Sequence, residues 1–166
     1  ATVIRQFSTS AVAQEALLPL QEVLTLAGRA NEFETYLAQF KNANPENKSI
    51  ESLEFDTGKN FYFNQQYPKA ISSLNAYLIA YPQTARASEA RYYIAESHYR
   101  LREFDKALAL YNTLRSDATF DMGSKVVGRI AEIQFKQGRY TDAVAGYHAL
   151  ERVAANKKEQ YNAWSG

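Results

Sequence analysis

The chain has 166 residues, a formal net charge of +1 and a pI near 8.1, which excludes the basic excess that a nucleic-acid surface needs. Apolar residues make up 46% and charged residues 22%, the balance of a globular protein, and no apolar run approaches the roughly 18 residues of a membrane-spanning helix. With no cysteine, a disulfide frame and a thiolate metal site are both excluded, while the compartment stays open.

Taken in order, the chain begins at Ala1 without methionine or a signal peptide, the expectation for a fragment of a longer protein. The run Phe7–Ala16 can be laid over Tyr81–Ala90, so residues 1–7 read as the tail of a preceding helix. A helix over 10–27 follows, with Leu17, Leu20 and Leu24 at helical spacing, Ser10 as N-cap and Gly28 as its end. Pro19 lies inside it, and a bend near residues 15–19 or a restarted helix is expected there. The next helix, around 31–40, uses Phe33, Tyr36, Leu37 and Phe40. Tyr36 stands where later copies carry alanine, and Gly28 lies five residues ahead of Phe33. A longer turn and a looser helix pair are therefore expected in this segment, 10–43.

Residues 42–48 are polar and hold Pro45, the signature of a loop. Helices are then expected over 49–64 and from Tyr67 to about Ala80, with Pro68 in the first turn and Pro82 beyond the end. Further helices follow at 85–101, 104–115, 120–137 and 140–154, with Gly138 between the last two. Residues 156–166, with Tyr161 and Trp164, read as the start of another helix. The repeats are thus expected at 10–43, 49–82, 85–117 and 120–154, with partial copies at 1–7 and 156–166.

One phrase recurs through this order: Tyr67-Pro68-Lys69-Ala70, Phe104-Asp105-Lys106-Ala107 and Tyr140-Thr141-Asp142-Ala143, its alanines 37 and 36 residues apart. Twelve residues ahead of each alanine stands Gly58, Ala95 or Ala131. Eight ahead stands Tyr62, Tyr99 or Phe135, and four behind stands Leu74, Tyr111 or Tyr147. Offsets built from threes and fours mark one helical face, so each unit is a helix A, a tight turn and a helix B. Small residues let the two helices approach closely, and a larger side chain such as Ala107→Leu should overpack the slot by about 1–3 kcal/mol.

Small–aromatic–turn–aromatic–x–x–Ala with a closing proline resembles the tetratricopeptide repeat (TPR). The best copy is Gly58, Phe61, Tyr67, Ala70, Leu74 and Pro82. His98 and Gln134 depart from it where tyrosine is usual, and the repeats run longer than the usual roughly 34 residues. The resemblance implies an all-α, right-handed α-α superhelical solenoid of about four helix-turn-helix repeats. It also extends to long repeat proteins of the bacterial cell envelope, of the outer-membrane assembly and Tol-Pal-associated types. That likeness implies a periplasmic or outer-membrane-associated location, with the cytoplasm as alternative.

No catalytic motif emerges. His98 and His148 lie fifty residues apart on different helices, and a metal site would need carboxylates from several helices. Asp56-Thr57-Gly58 matches the tripeptide of aspartic proteases but falls mid-helix, without the second aspartate that chemistry shares a proton with. Asn47-Lys48-Ser49 has the form of a glycosylation sequon, and neither a phosphate-binding loop nor a nucleophile elbow is present. Catalytic residues, cofactor and metal are each read as none.

What remains is the groove that stacked A helices line. Its candidates are Phe55, Lys59, Tyr62 and Phe63, then Tyr92, Glu96, Tyr99 and Arg100, then Lys125, Glu132, Phe135 and Lys136. Tyr62, Tyr99 and Phe135 also read as packing between repeats, whereas Tyr92, Phe63 and Arg100 are expected at the surface. The leading function is a non-catalytic scaffold for a protein or peptide partner, with no nucleic acid and no membrane span, and with self-association through the open repeat ends. A structural spacer is the second reading. The third, a helical small-molecule sensor, requires Glu96, His98 and Glu132 to converge.

Overall fold

The computed structural model describes residues 11–44, 47, 49–118 and 120–165; the expected helix tail at residues 1–7 and the Ser10 cap lie outside them. Eight helices occupy these residues, with no strand among them. They are α1 (Ala11–Leu26), α2 (Ala30–Ala43), α3 (Ile50–Phe63), α4 (Tyr67–Ala80), α5 (Ala87–Arg100), α6 (Phe104–Arg115), α7 (Gly123–Lys136) and α8 (Tyr140–Ser165). Sequence neighbours pair as α1/α2, α3/α4, α5/α6 and α7/α8. The chain divides into two compact units, Ala1–Thr84 and Ala85–Gly166. Within the first, α1 also meets α3; within the second, α6 also meets α7.

The turn inside each pair is the most regular element. A left-handed residue recurs at Gly28, Gln65, Arg102 and Gly138, with φ of 72°, 61°, 62° and 76°. The amide after it reaches back to the last helical turn each time: Arg29 to the Leu24 carbonyl (2.7 Å), Gln66 to Phe61 (2.8 Å), Glu103 to His98 (2.9 Å) and Arg139 to Gln134 (2.8 Å). The left-handed residue itself donates to the carbonyl three before it, which completes a Schellman closure of helix A. Three residues separate the helices at every one of these turns, including the first. The first turn is therefore not longer, contrary to the spacing argument, because Gly28 and not an aromatic residue marks its register.

That register corrects a second assignment. Five residues after the left-handed position stand Ala70, Ala107 and Ala143, and in the first pair Phe33, not Tyr36. Ala70 and Ala107 are fully buried, and so is Phe33. Opposite them on helix A, seven residues before the turn, are Gly58, Ala95 and Ala131, and in the first pair Gln21. A Cβ placed on Gly58 would lie 2.6 Å from Leu74 Cγ, which states how close α3 and α4 approach. Gly146 does the same for α7 and α8, where an added Cβ would sit 2.8 Å from that of Ala131. The first pair instead carries two large buried side chains at these positions. Buried Gln21 turns its amide to α3, donating to the Thr57 carbonyl (2.9 Å) and accepting from Asn60 Nδ2 (3.1 Å).

Two helices differ from expectation. α1 runs as one helix across Pro19, without a restart; the ring faces solvent while Leu17, Gln21 and Leu24 bury the other side. α8 runs unbroken for 26 residues where separate helices were expected at 140–154 and 156–166. Between Gly146 and Gly166 there is neither glycine nor proline, and Ala154-Ala155-Asn156-Lys157-Lys158-Glu159 contains mostly strong helix formers.

Candidate functional site

The A-helix residues singled out by spacing fall in both units and split between surface and core. In the first unit Phe55 is buried, its ring 5.5 Å from Tyr77 with the Lys59 ammonium 5.6 Å over it. Phe55 is thus core, not groove lining. Tyr62 is half-buried between Phe63 (5.4 Å) and Tyr67 (5.9 Å), and Phe63 is exposed as expected.

In the second unit Arg100, Lys125, Phe135 and Lys136 are exposed. Tyr92 is not: it is buried against Tyr93 (5.6 Å), Phe120 (5.8 Å) and Tyr111 (6.4 Å), and its expected exposure is corrected. Glu96 is likewise buried. Phe135 is exposed and meets Tyr140 edge-on at 5.4 Å across the turn of its own repeat.

Glu96 and Glu132 do come together, through a residue the spacing argument passed over. Arg129 donates from Nε (2.7 Å) and Nη2 (3.0 Å) to the two oxygens of Glu96 and from Nη1 (3.0 Å) to Glu132. Tyr111 donates to Glu96 Oε1 at 2.6 Å, and Tyr99 donates to Glu132. The Arg129 guanidinium lies 4.5 Å from the Tyr99 ring centre, and Lys136 closes the array 3.3 Å from Glu132. A bidentate fork on a buried carboxylate is the geometry in which an ion pair holds two helices in one register.

The electrostatics follow from these contacts. Hydrogen bonding to Glu96, working against burial, pushes the Arg129 pKa further up. Burial, reinforced by the Glu96 charge, raises the Tyr111 phenol, and burial with the Glu132 hydrogen bond raises Tyr99. Burial opposes the Glu132 carboxylate, but donors from Tyr99, Arg129 and Lys136 outweigh it and hold it below the ordinary carboxylate range. These shifts move Arg129, Tyr99, Tyr111 and Glu132 away from neutral pH, whereas a general acid or base is useful when it titrates near the working pH. His98 takes no part: its Nδ1 lies 2.5 Å from Glu103. Of the three side chains that a sensor of this design requires to converge, two do so, and an arginine already bridges them. No group of three metal-ligating side chains occurs among the described residues.

Beside this array is an open cleft of about 360 Å³, lined by Tyr92, Lys125, Gly128, Arg129, Glu132 and Tyr147. Its lining combines two tyrosines with side chains of both signs of charge.

Residues 55–121 match the tetratricopeptide repeat. The matched segment contains the Ala70 and Ala107 slots, and the turns at Gln65 and Arg102. No curated protein matches the chain. Among solved structures, MamA AMB-1 is similar with a TM-score of 0.60 at 18% identity, over 93% of this chain and 80% of that one. A mutant form of MamA gives 0.59 at 18% identity, over 84% and 72%. A Podosopora anserina putative kinesin light chain with nearly identical TPR-like repeats gives 0.57 at 11% identity, over 95% and 94%. At these identities the likeness establishes the fold: helical repeats of the TPR type.

Proposed function

We propose that the chain is a non-catalytic protein-binding module that holds a protein or peptide partner on the A-helix face of its second unit. The observation that carries this reading is the cleft lined by Tyr92, Lys125, Arg129, Glu132 and Tyr147. Tyrosine and arginine in a partly desolvated hollow are the side chains that dominate binding hot spots. The Glu96–Arg129 fork supports it by fixing the arginine before a partner arrives, which lowers the ordering cost of association. TPR-type folds typically mediate protein–protein contacts, and the neighbours above share that fold.

The experiment is affinity capture from the native source with the tagged chain and with an Arg100→Glu, Lys125→Glu variant. Both side chains are exposed, so the variant should fold. A partner recovered by the parent and lost by the variant supports the reading. A partner set indifferent to the charge reversal removes this face from consideration and leaves the spacer reading. For the compartment we propose the bacterial cell envelope, on the sequence resemblance alone; fractionation of the source organism tests it.

A further inference from the structure

The α7/α8 pair leaves open a place that the α5/α6 pair closes for itself. An open hollow of about 380 Å³ lies among α6, α7 and α8, lined by Val127 and Ile130 of α7 and by Ala145, Gly146 and Ala149 of α8. Arg115, Gln134, Arg139 and Asp142 complete the lining. The positions 36 residues earlier carry other side chains. Leu110 stands in place of Gly146 and packs, half-buried, against the apolar cluster of this unit. His98 stands in place of Gln134 and Glu103 in place of Arg139, with His98 Nδ1 2.5 Å from the Glu103 carboxylate. The earlier pair thus supplies an aliphatic side chain and a carboxylate from its own sequence.

The later pair supplies neither. Gly146 has no side chain, and an added Cβ would lie 2.8 Å from that of Ala131. Asp142, the carboxylate of the lining, is taken up by Arg139, whose Nε (3.0 Å) and Nη2 (2.8 Å) both donate to it. Among the described residues Arg115 enters no ion pair and the Gln134 side chain no hydrogen bond. A following helix does not close this side of a pair. α7 follows α6, and Ala109 and Thr113, the counterparts of Ala145 and Ala149, are exposed all the same.

We infer that this hollow is a docking site for a short segment of a partner protein that offers an aliphatic side chain flanked by carboxylates. The aliphatic group takes the space that Gly146 leaves beside Val127 and Ile130. A carboxylate answers Arg115 and the Gln134 amide, as Glu103 answers His98. Charge complementarity selects the acidic segment, because two arginines against one aspartate leave the lining in positive excess. Arginine–carboxylate hydrogen bonds are among the strong ones. This goes beyond the cleft reading, since the two linings share no residue.

The probe is the capped peptide acetyl-Gly-Glu-Leu-Glu-Gly-amide, titrated into the intact isotope-labelled chain and followed by amide chemical shifts. Saturable shifts are expected over residues 127–134 and 142–149. Glutamine in place of both glutamates should weaken binding about tenfold, as expected for loss of a charge-assisted pair. Glycine in place of the leucine should leave no saturable response. In the chain, Arg115→Glu should weaken the parent peptide by about tenfold or more, and Ala145→Phe, which narrows the hollow, should abolish its binding. Both positions are exposed, so the circular dichroism spectrum should not change. Absence of saturable shifts with the parent peptide overturns the inference. So does equal binding of the glutamine or glycine form, a response confined to the cleft around Tyr92 and Lys125, or undiminished binding by Arg115→Glu. The capture experiment reverses Arg100 and Lys125, which do not line this hollow, so either proposal can fail while the other stands.

Discussion

The covered junction of α5 and α6 under α7 and the bare face of α7 and α8 share a sequence pattern and differ in what water sees. Tyr111 and Glu96 are sealed and bonded to one another, while Tyr147 and Glu132 are partly open. The lesson is that the repeat pattern specifies which side chains can form a junction, and the next helix decides whether they do.

The largest expected break in that comparison is Arg129→Ala. It leaves the carboxylate of Glu96 buried with its cation removed, at a cost of about 3 kcal/mol. The parallel change on the bare side, Arg139→Ala, removes an exposed pair with Asp142 and should cost no more than about 0.5 kcal/mol. Thermal unfolding followed by circular dichroism separates the two. Next in size, Leu108→Ala should destabilise by about 2–3 kcal/mol through lost burial and a residual cavity. Val144→Ala, its counterpart in the open, should fall within about 0.5 kcal/mol of the parent. If both cost alike, something already covers α8.

A third change sharpens the comparison by touching what all four pairs share. Gln65 and Arg102 hold the left-handed conformation that Gly28 and Gly138 adopt at no steric cost. Gln65→Gly and Arg102→Gly should each stabilise by about 1 kcal/mol, and Gly138→Ala should lose a similar amount. The smallest effect concerns acid. Glu132 is held below its ordinary value of 4.5 in the folded chain. Its contribution is fully present above that value and disappears as pH falls through the lowered one. The melting temperature should therefore drop as pH is taken below about 4.5, and Glu132→Gln should drop less over the same range.

Much of this was legible in the residues. Ala70, Ala107 and Ala143 could be read because a methyl-sized slot excludes nearly every other side chain, and a fixed interval then betrays the repeat. The first pair misled because Phe33 and Gln21 stand where the other pairs carry alanine or glycine, so matching on aromatics pointed to Tyr36. The spacing of Gly28 and Gly138 was the better ruler, since positive φ is a backbone demand that packing does not alter. Tyr92 was misjudged because a helix face predicted to be open is closed by Phe120 from the link between α6 and α7. Arg129 was missed for a different reason. Its partner lies 33 residues away on another helix, and a pair that short side-chain spacing does not connect becomes visible when both helices are in place.

The identical three-residue hooks at residues 27–29, 64–66, 101–103 and 137–139 carry a practical corollary. One residue inserted at any hook would rotate the following helix by about 100° and swing its slot residue out of contact. Insertion or removal of a whole helix pair at the same point would return every slot to its partner, so this scaffold can be lengthened or shortened in complete modules and not by single residues.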